Sequence, residues 1–143
     1  MAFTEDSIRA MVADWYLALD RHVDLPEALT YLVNEGLEMR FPEATAKGHE
    51  GFADWYDVVT NRFFDEVHTV TSVKVDNLVV DRADVKVVVN WQARIWNPPV
   101  PKSEWLGFNA YQTWAVVAGP DGVPQIETYI VDALEPMPGS AAL

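Results

Sequence analysis

Helical spacing in the first part of the chain and alternating spacing in the rest predict an α+β domain. In it, a strongly curved antiparallel sheet packs against three N-terminal helices. Apolar residues recur every three or four positions up to Phe63, except in one short strand, and every second position from His68 onward. The alternating runs are joined by short turns, which makes neighbouring strands antiparallel. Half of the 143 residues are apolar, enough for the core of one domain.

The first helix begins at Thr4, an N-cap residue, with Glu5 and Asp6 where the helix dipole favours acids. Phe3 and Ile8 occupy the staple positions, and Ile8, Val12, Trp15 and Leu19 share one face. Asp24 is the expected cap of a short second helix, with Pro26 in its first turn and Ala28, Leu29 and Leu32 on its apolar side. Leu37, Met39 and Phe41 alternate with Glu38 and Arg40 in a strand closed by Pro42. Gly48 precedes a third helix of about four turns, with Phe52, Trp55, Tyr56, Val59 and Phe63 as its stripe. Four strands follow, at 68–80, 83–97, 104–117 and 126–134, turning at Asp81-Arg82, at the proline-rich 97–101 and at Pro120-Asp121-Gly122. Val85, Val87, Val89, Trp91, Ala93 and Ile95 form the inward face of the second of these. Residues 1–135 are read as one domain. Residues 136–143, with Pro136, Pro138 and Gly139, are read as a flexible tail.

Composition narrows the function. Without cysteine there is no disulfide, thiolate zinc site or cysteine nucleophile, which fits a reducing, cytoplasmic setting. Met1 opens on a polar helix rather than a secretory leader, and no stretch approaches the ~18 apolar residues of a membrane span. A net charge of −12 repels phosphate backbones and anionic membranes, so neither nucleic acid nor membrane is an expected partner. There is no glycine-rich phosphate loop, no H-E-x-x-H and no G-x-S-x-G. His49-Glu50 lacks a following second histidine, and the three histidines stand on different elements, so neither metal nor cofactor is expected.

Several short segments resemble the nuclear transport factor 2-like superfamily, in its SnoaL-like and ketosteroid-isomerase-like branch. They are Trp15-Tyr16-Leu17-Ala18-Leu19-Asp20, Phe41-Pro42, Gly48-His49-Glu50-Gly51-Phe52, His68-Thr69-Val70-Thr71-Ser72-Val73 and Tyr129-Ile130-Val131-Asp132. The resemblance runs from about Ile8 to Leu134 and implies a cone-shaped half-barrel closed by the helices, with a pocket inside. It also implies which positions to inspect. The carboxylate base of ketosteroid isomerases falls at Phe41, their helix-one tyrosine at Trp15 with Tyr16 beside it, and their protonated acid at Gln112. Isomerisation by that mechanism is excluded, because Phe41 accepts no proton.

Other branches imply a different set. Asp132 resembles the acid of SnoaL-like cyclases, and His68 resembles a histidine of scytalone-dehydratase-like members. With Gln112 polarising a ligand oxygen, Asp132 and His68 are the candidate catalytic residues. Each has a structural alternative: Asp132 as a strand end or a surface ion pair, His68 as a helix-end histidine favoured by the dipole, and Gln112 as a partner for backbone groups. Trp15, Tyr16, Phe41, Trp91, Phe108 and Trp114 are candidate ligand contacts, a flat apolar wall for an aromatic or polycyclic molecule. Trp96 falls on the outer sheet face, where it suggests a homodimer.

Two functions remain open on these residues. One is a cofactor-independent enzyme performing acid–base isomerisation, cyclisation or dehydration on a hydrophobic carbonyl compound. The other is a non-catalytic module of the same fold for small-molecule binding or dimerisation, including a silent partner in a larger complex.

Overall fold

The computed structural model describes residues 2–143, so the reading of Met1 lies outside the described residues. Helix α1 (Glu5–Asp20) starts in a capping box: Ser7 N–H donates to Thr4 Oγ1, and the Thr4 N–H donates back to Ser7 Oγ. Ile8, Val12, Trp15 and Leu19 are all buried along the predicted face. Helix α2 (Leu25–Leu29) is a single turn, and the Asp24 side chain makes no cap hydrogen bond. The Asp24 carbonyl accepts the Glu27 and Ala28 N–H groups instead. Strand β1 (Glu38–Arg40) forms a hairpin with β2 (Thr45–Lys47), a strand too short for alternation to reveal. Helix α3 (Gly48–Arg62) then leads straight into β3 (Phe63–Asp76), so the sheet begins five residues before the predicted position. Strands β4 (Arg82–Ile95), β5 (Glu104–Ala118) and β6 (Pro124–Pro136) complete a meander.

The six strands lie in the order β2-β1-β6-β5-β4-β3. The meander is antiparallel, but β1 runs parallel to β6, with Met39 opposite Tyr129. The sheet is therefore mixed, not wholly antiparallel. The β1–β2 hairpin supplies one reversal of the chain, α3 joins β2 to β3 with the two strands pointing the same way, and the three turns of the meander then bring β6 into the direction of β1. The inner face agrees with the expected parity: Val85, Val87 and Val89 are buried under the helices while Lys86 is exposed.

Two one-residue bulges interrupt β3. Phe63 faces inward, and Asp65, in the left-handed region at φ 51°, is the extra residue that puts Glu66, His68 and Val70 inward in its wake. A second extra residue, Thr71, restores the original phase for Val73 and Val75. Residues 136–143 build no regular element beyond the end of β6, yet they are fastened along β5. Met137 N–H donates to Gly107 O, Ala141 N–H to Trp105 O, and Gly107 N–H to Ser140 Oγ.

Candidate functional site

A cavity of about 870 Å³ opens between the concave sheet face, α1, α3 and the β1–β2 hairpin. His68 enters its wall from the edge strand β3. The outer N–H of an edge strand has no neighbouring strand to pair with, and the end of α1 supplies the partner. Both oxygens of Asp20 lie 3.0 Å from the His68 backbone nitrogen, and Oδ1 lies 2.6 Å from Nδ1. An ionised carboxylate only accepts, so Nδ1 carries a proton, and in the neutral imidazole the lone pair is then on Nε2. The Tyr16 ring stacks on the imidazole at 4.9 Å between centroids, and Trp91 lies nearly parallel to it at 6.2 Å.

Gln112 is the sole buried polar residue in the core among the described residues, at 5% exposure. Its Oε1 accepts from the Tyr16 hydroxyl at 3.0 Å and from Trp114 Nε1 at 2.9 Å. Two donors at one atom fix the amide orientation and turn the –NH₂ group away from Tyr16 and Trp114, on a side chain that lines the cavity. The Tyr129 hydroxyl stands 3.2 Å from that of Tyr16. Because the Tyr16 proton goes to Gln112, Tyr129 is the donor between the two. Burial, and then the neighbouring Tyr129, push the Tyr16 hydroxyl well above its usual pKa; burial raises Tyr129 as well. Both phenols stay neutral donors at physiological pH.

Tyr16, Phe41, Trp91, Phe108, His68 and Gln112 line the cavity as expected. Phe41 stacks on Trp55 with centroids 4.0 Å apart and planes 3° from parallel, so aromatic surface fills the place of the missing carboxylate. Two expected ligand contacts lie behind the wall instead. Trp15 is wholly buried among Phe52, Tyr31 and Tyr129, and Trp114 is covered by Tyr129 at 5.0 Å. Asp132 is not in the site. It is the extra residue of a β6 bulge and lies exposed, and its carboxylate accepts from Thr113 Oγ1 at 2.6 Å. Tyr129 and Val131 take the inward positions of that strand, which sends Asp132 the other way.

The helix-end reading of His68 also falls, because α3 has ended six residues earlier. Two residues of the site were missed. Asp20 closes α1 at the end of the helix dipole where an acid is disfavoured, with no basic residue in that last turn; this unfavourable placement was the available sign. Glu66 stands two positions from His68, the spacing of one strand face.

The overall fold is shared with solved structures. One is a hexachlorocyclohexane dehydrochlorinase, LinA-type3, from Novosphingobium barchaimii, with TM-score 0.74 and 18% identity over 96% of this chain and 92% of that one. Another is a nuclear transport factor 2-like family protein from Streptomyces avermitilis, with TM-score 0.72 and 16% identity over 93% of this chain and 95% of that one. The fold is that of the nuclear transport factor 2-like superfamily. A ketosteroid isomerase-like protein from Erwinia carotovora atroseptica shares the fold, with TM-score 0.70 and 16% identity over 92% of this chain and 95% of that one. No family model matches the sequence, and no curated protein matches it.

Proposed function

We propose that the chain is a cofactor-independent enzyme that removes a carbon-bound proton from a hydrophobic substrate and expels a group from the neighbouring carbon. The observation that carries this is the Asp20–His68 pair at a largely apolar cavity whose wall includes His68. Asp20 fixes the tautomer and offsets the imidazolium that forms, so Nε2 is a neutral base ready to accept. Gln112 presents amide N–H donors to a substrate carbonyl, whose developing negative charge acidifies the adjacent C–H. Tyr16 and Trp114 hold that amide in place without being consumed as ligand donors.

The dehydrochlorinase among the structural neighbours carries out an elimination on the same fold, which supports this class of reaction here. The test is His68→Gln, assayed for turnover and for ligand affinity. Turnover should fall by about 10²-fold or more, the lower range of general-base contributions, while affinity holds. Tight binding of aromatic ketones by the unaltered protein with no turnover would instead favour a binding module.

A further inference from the structure

The elimination just described uses neither Glu66 nor His22, although both stand beside it. The Glu66 side chain belongs to the cavity wall, faces the same side of β3 as His68, and is only 9% exposed. A carboxylate in so apolar a wall is retained only when paired. Here Oε1 accepts from Trp91 Nε1 at 3.0 Å, and Oε2 meets His22 Nε2. His22 is 27% exposed, so this imidazole reaches solvent. It occupies left-handed backbone at φ 48° just past α1, as Asp65 does just before Glu66.

The seam between α1 and β3 thus holds two carboxylate–imidazole pairs of opposite sense. In one, an acid after the helix backs a strand base that faces the cavity. In the other, a strand acid facing the cavity is backed by an imidazole that reaches solvent.

We infer that Glu66, reloaded through His22, is the proton donor to the leaving oxygen of the substrate, which makes that leaving group a hydroxyl rather than a halide. This rests on the elimination reading. In the step, the C–H proton passes to His68 Nε2, its electron pair forms the new C=C bond, and the C–O pair leaves on oxygen. That oxygen takes the proton from Glu66 and departs as water; His22 returns a proton to Glu66 from solvent, and His68 releases its own. Glu66 is then a catalytic residue and His22 a positioning residue that acts through it.

A series of benzisoxazoles tests this, because removal of their carbon-bound proton breaks an N–O bond and frees a phenolate whose basicity follows the ring substituent. Glu66→Gln keeps the shape and the Trp91 acceptor but removes the transferable proton. The nitro member needs no help to leave and should stay within about threefold, whereas the unsubstituted member should slow by about thirtyfold or more. His22→Gln should give the same tilt in weaker form, a change in leaving-group dependence that a merely structural role would not produce. Equal loss across the series, or no loss, overturns the proposal while leaving the elimination reading intact, provided His68→Gln silences every member. If His68→Gln changes nothing, or the unaltered protein turns over none of them, the elimination reading falls and this proposal with it. Should Glu66→Gln fail to fold, the tilt in His22→Gln decides by the same criterion.

Discussion

Asp20 closes on His68 across 48 residues of sequence, taking both the backbone N–H and Nδ1–H of one residue with one carboxylate. Asp20→Asn puts an amide where an acceptor was needed and permits the other tautomer, with Nε2 protonated. Turnover should drop by about 10²-fold or more with ligand affinity nearly unchanged, read from kcat against Kd on the same aromatic ligand.

Gln112 accepts from two buried donors at once, so its loss leaves both short of a partner. Gln112→Leu should lower the unfolding free energy by roughly 2–4 kcal/mol, since each unsatisfied buried donor costs about 1–3. Urea denaturation reads this directly, and an unchanged midpoint would count against the network.

Four tyrosines have pKa values raised above the ordinary 10.0, mainly by burial: Tyr16, Tyr31, Tyr56 and Tyr129. The native state holds these protons more tightly than the unfolded chain does. Their stabilising contribution is complete below pH 10 and is lost as the pH climbs from there through the folded-state values. Denaturation curves should therefore show little tyrosine-linked change up to about pH 10 and falling stability beyond it, with Tyr16→Phe making the fall shallower.

Asp132 faces away from the cavity. Asp132→Asn should leave turnover within about twofold and stability within about 0.5 kcal/mol, the range of ordinary surface changes. A large loss of turnover would restore the sequence-based assignment of the acid.

Trp96 is 51% exposed beyond the end of β4, and Tyr111 is exposed on the outer face of β5. A homodimer across this outer face is the assembly proposed for the chain. Sedimentation at micromolar concentration should give twice the monomer mass, and Trp96→Ser should shift it toward monomer.

Periodicity made most of the fold legible, because helices and long strands repeat their burial pattern over many residues. The Val85-Val87-Val89 face needed nothing more. The parallel pairing of β1 with β6 was hidden, since a three-residue strand carries no directional information. For the site, His68, Gln112, Tyr16, Phe41, Trp91 and Phe108 were found at the cavity, while Trp15 and Trp114 were misplaced because parity separates inside from outside but not wall from interior. In the sequence Asp20 is only the last residue of a helical segment, and its partner lies on a distant strand. No local pattern couples two such positions.

The paired bulges of β3 act like an insertion and its compensating insertion in a reading frame. Between Asp65 and Thr71 the strand is read one position out of step, and beyond Thr71 the original frame resumes. Within that short window the facing set is Glu66, His68 and Val70; in the unshifted frame it would be Asp65, Val67 and Thr69. The side chains proposed to react therefore form a cassette set into a strand whose two ends keep holding the core. A chain could gain or lose its chemistry by one residue at each border, with Phe63, Val73 and Val75 still packed where they are.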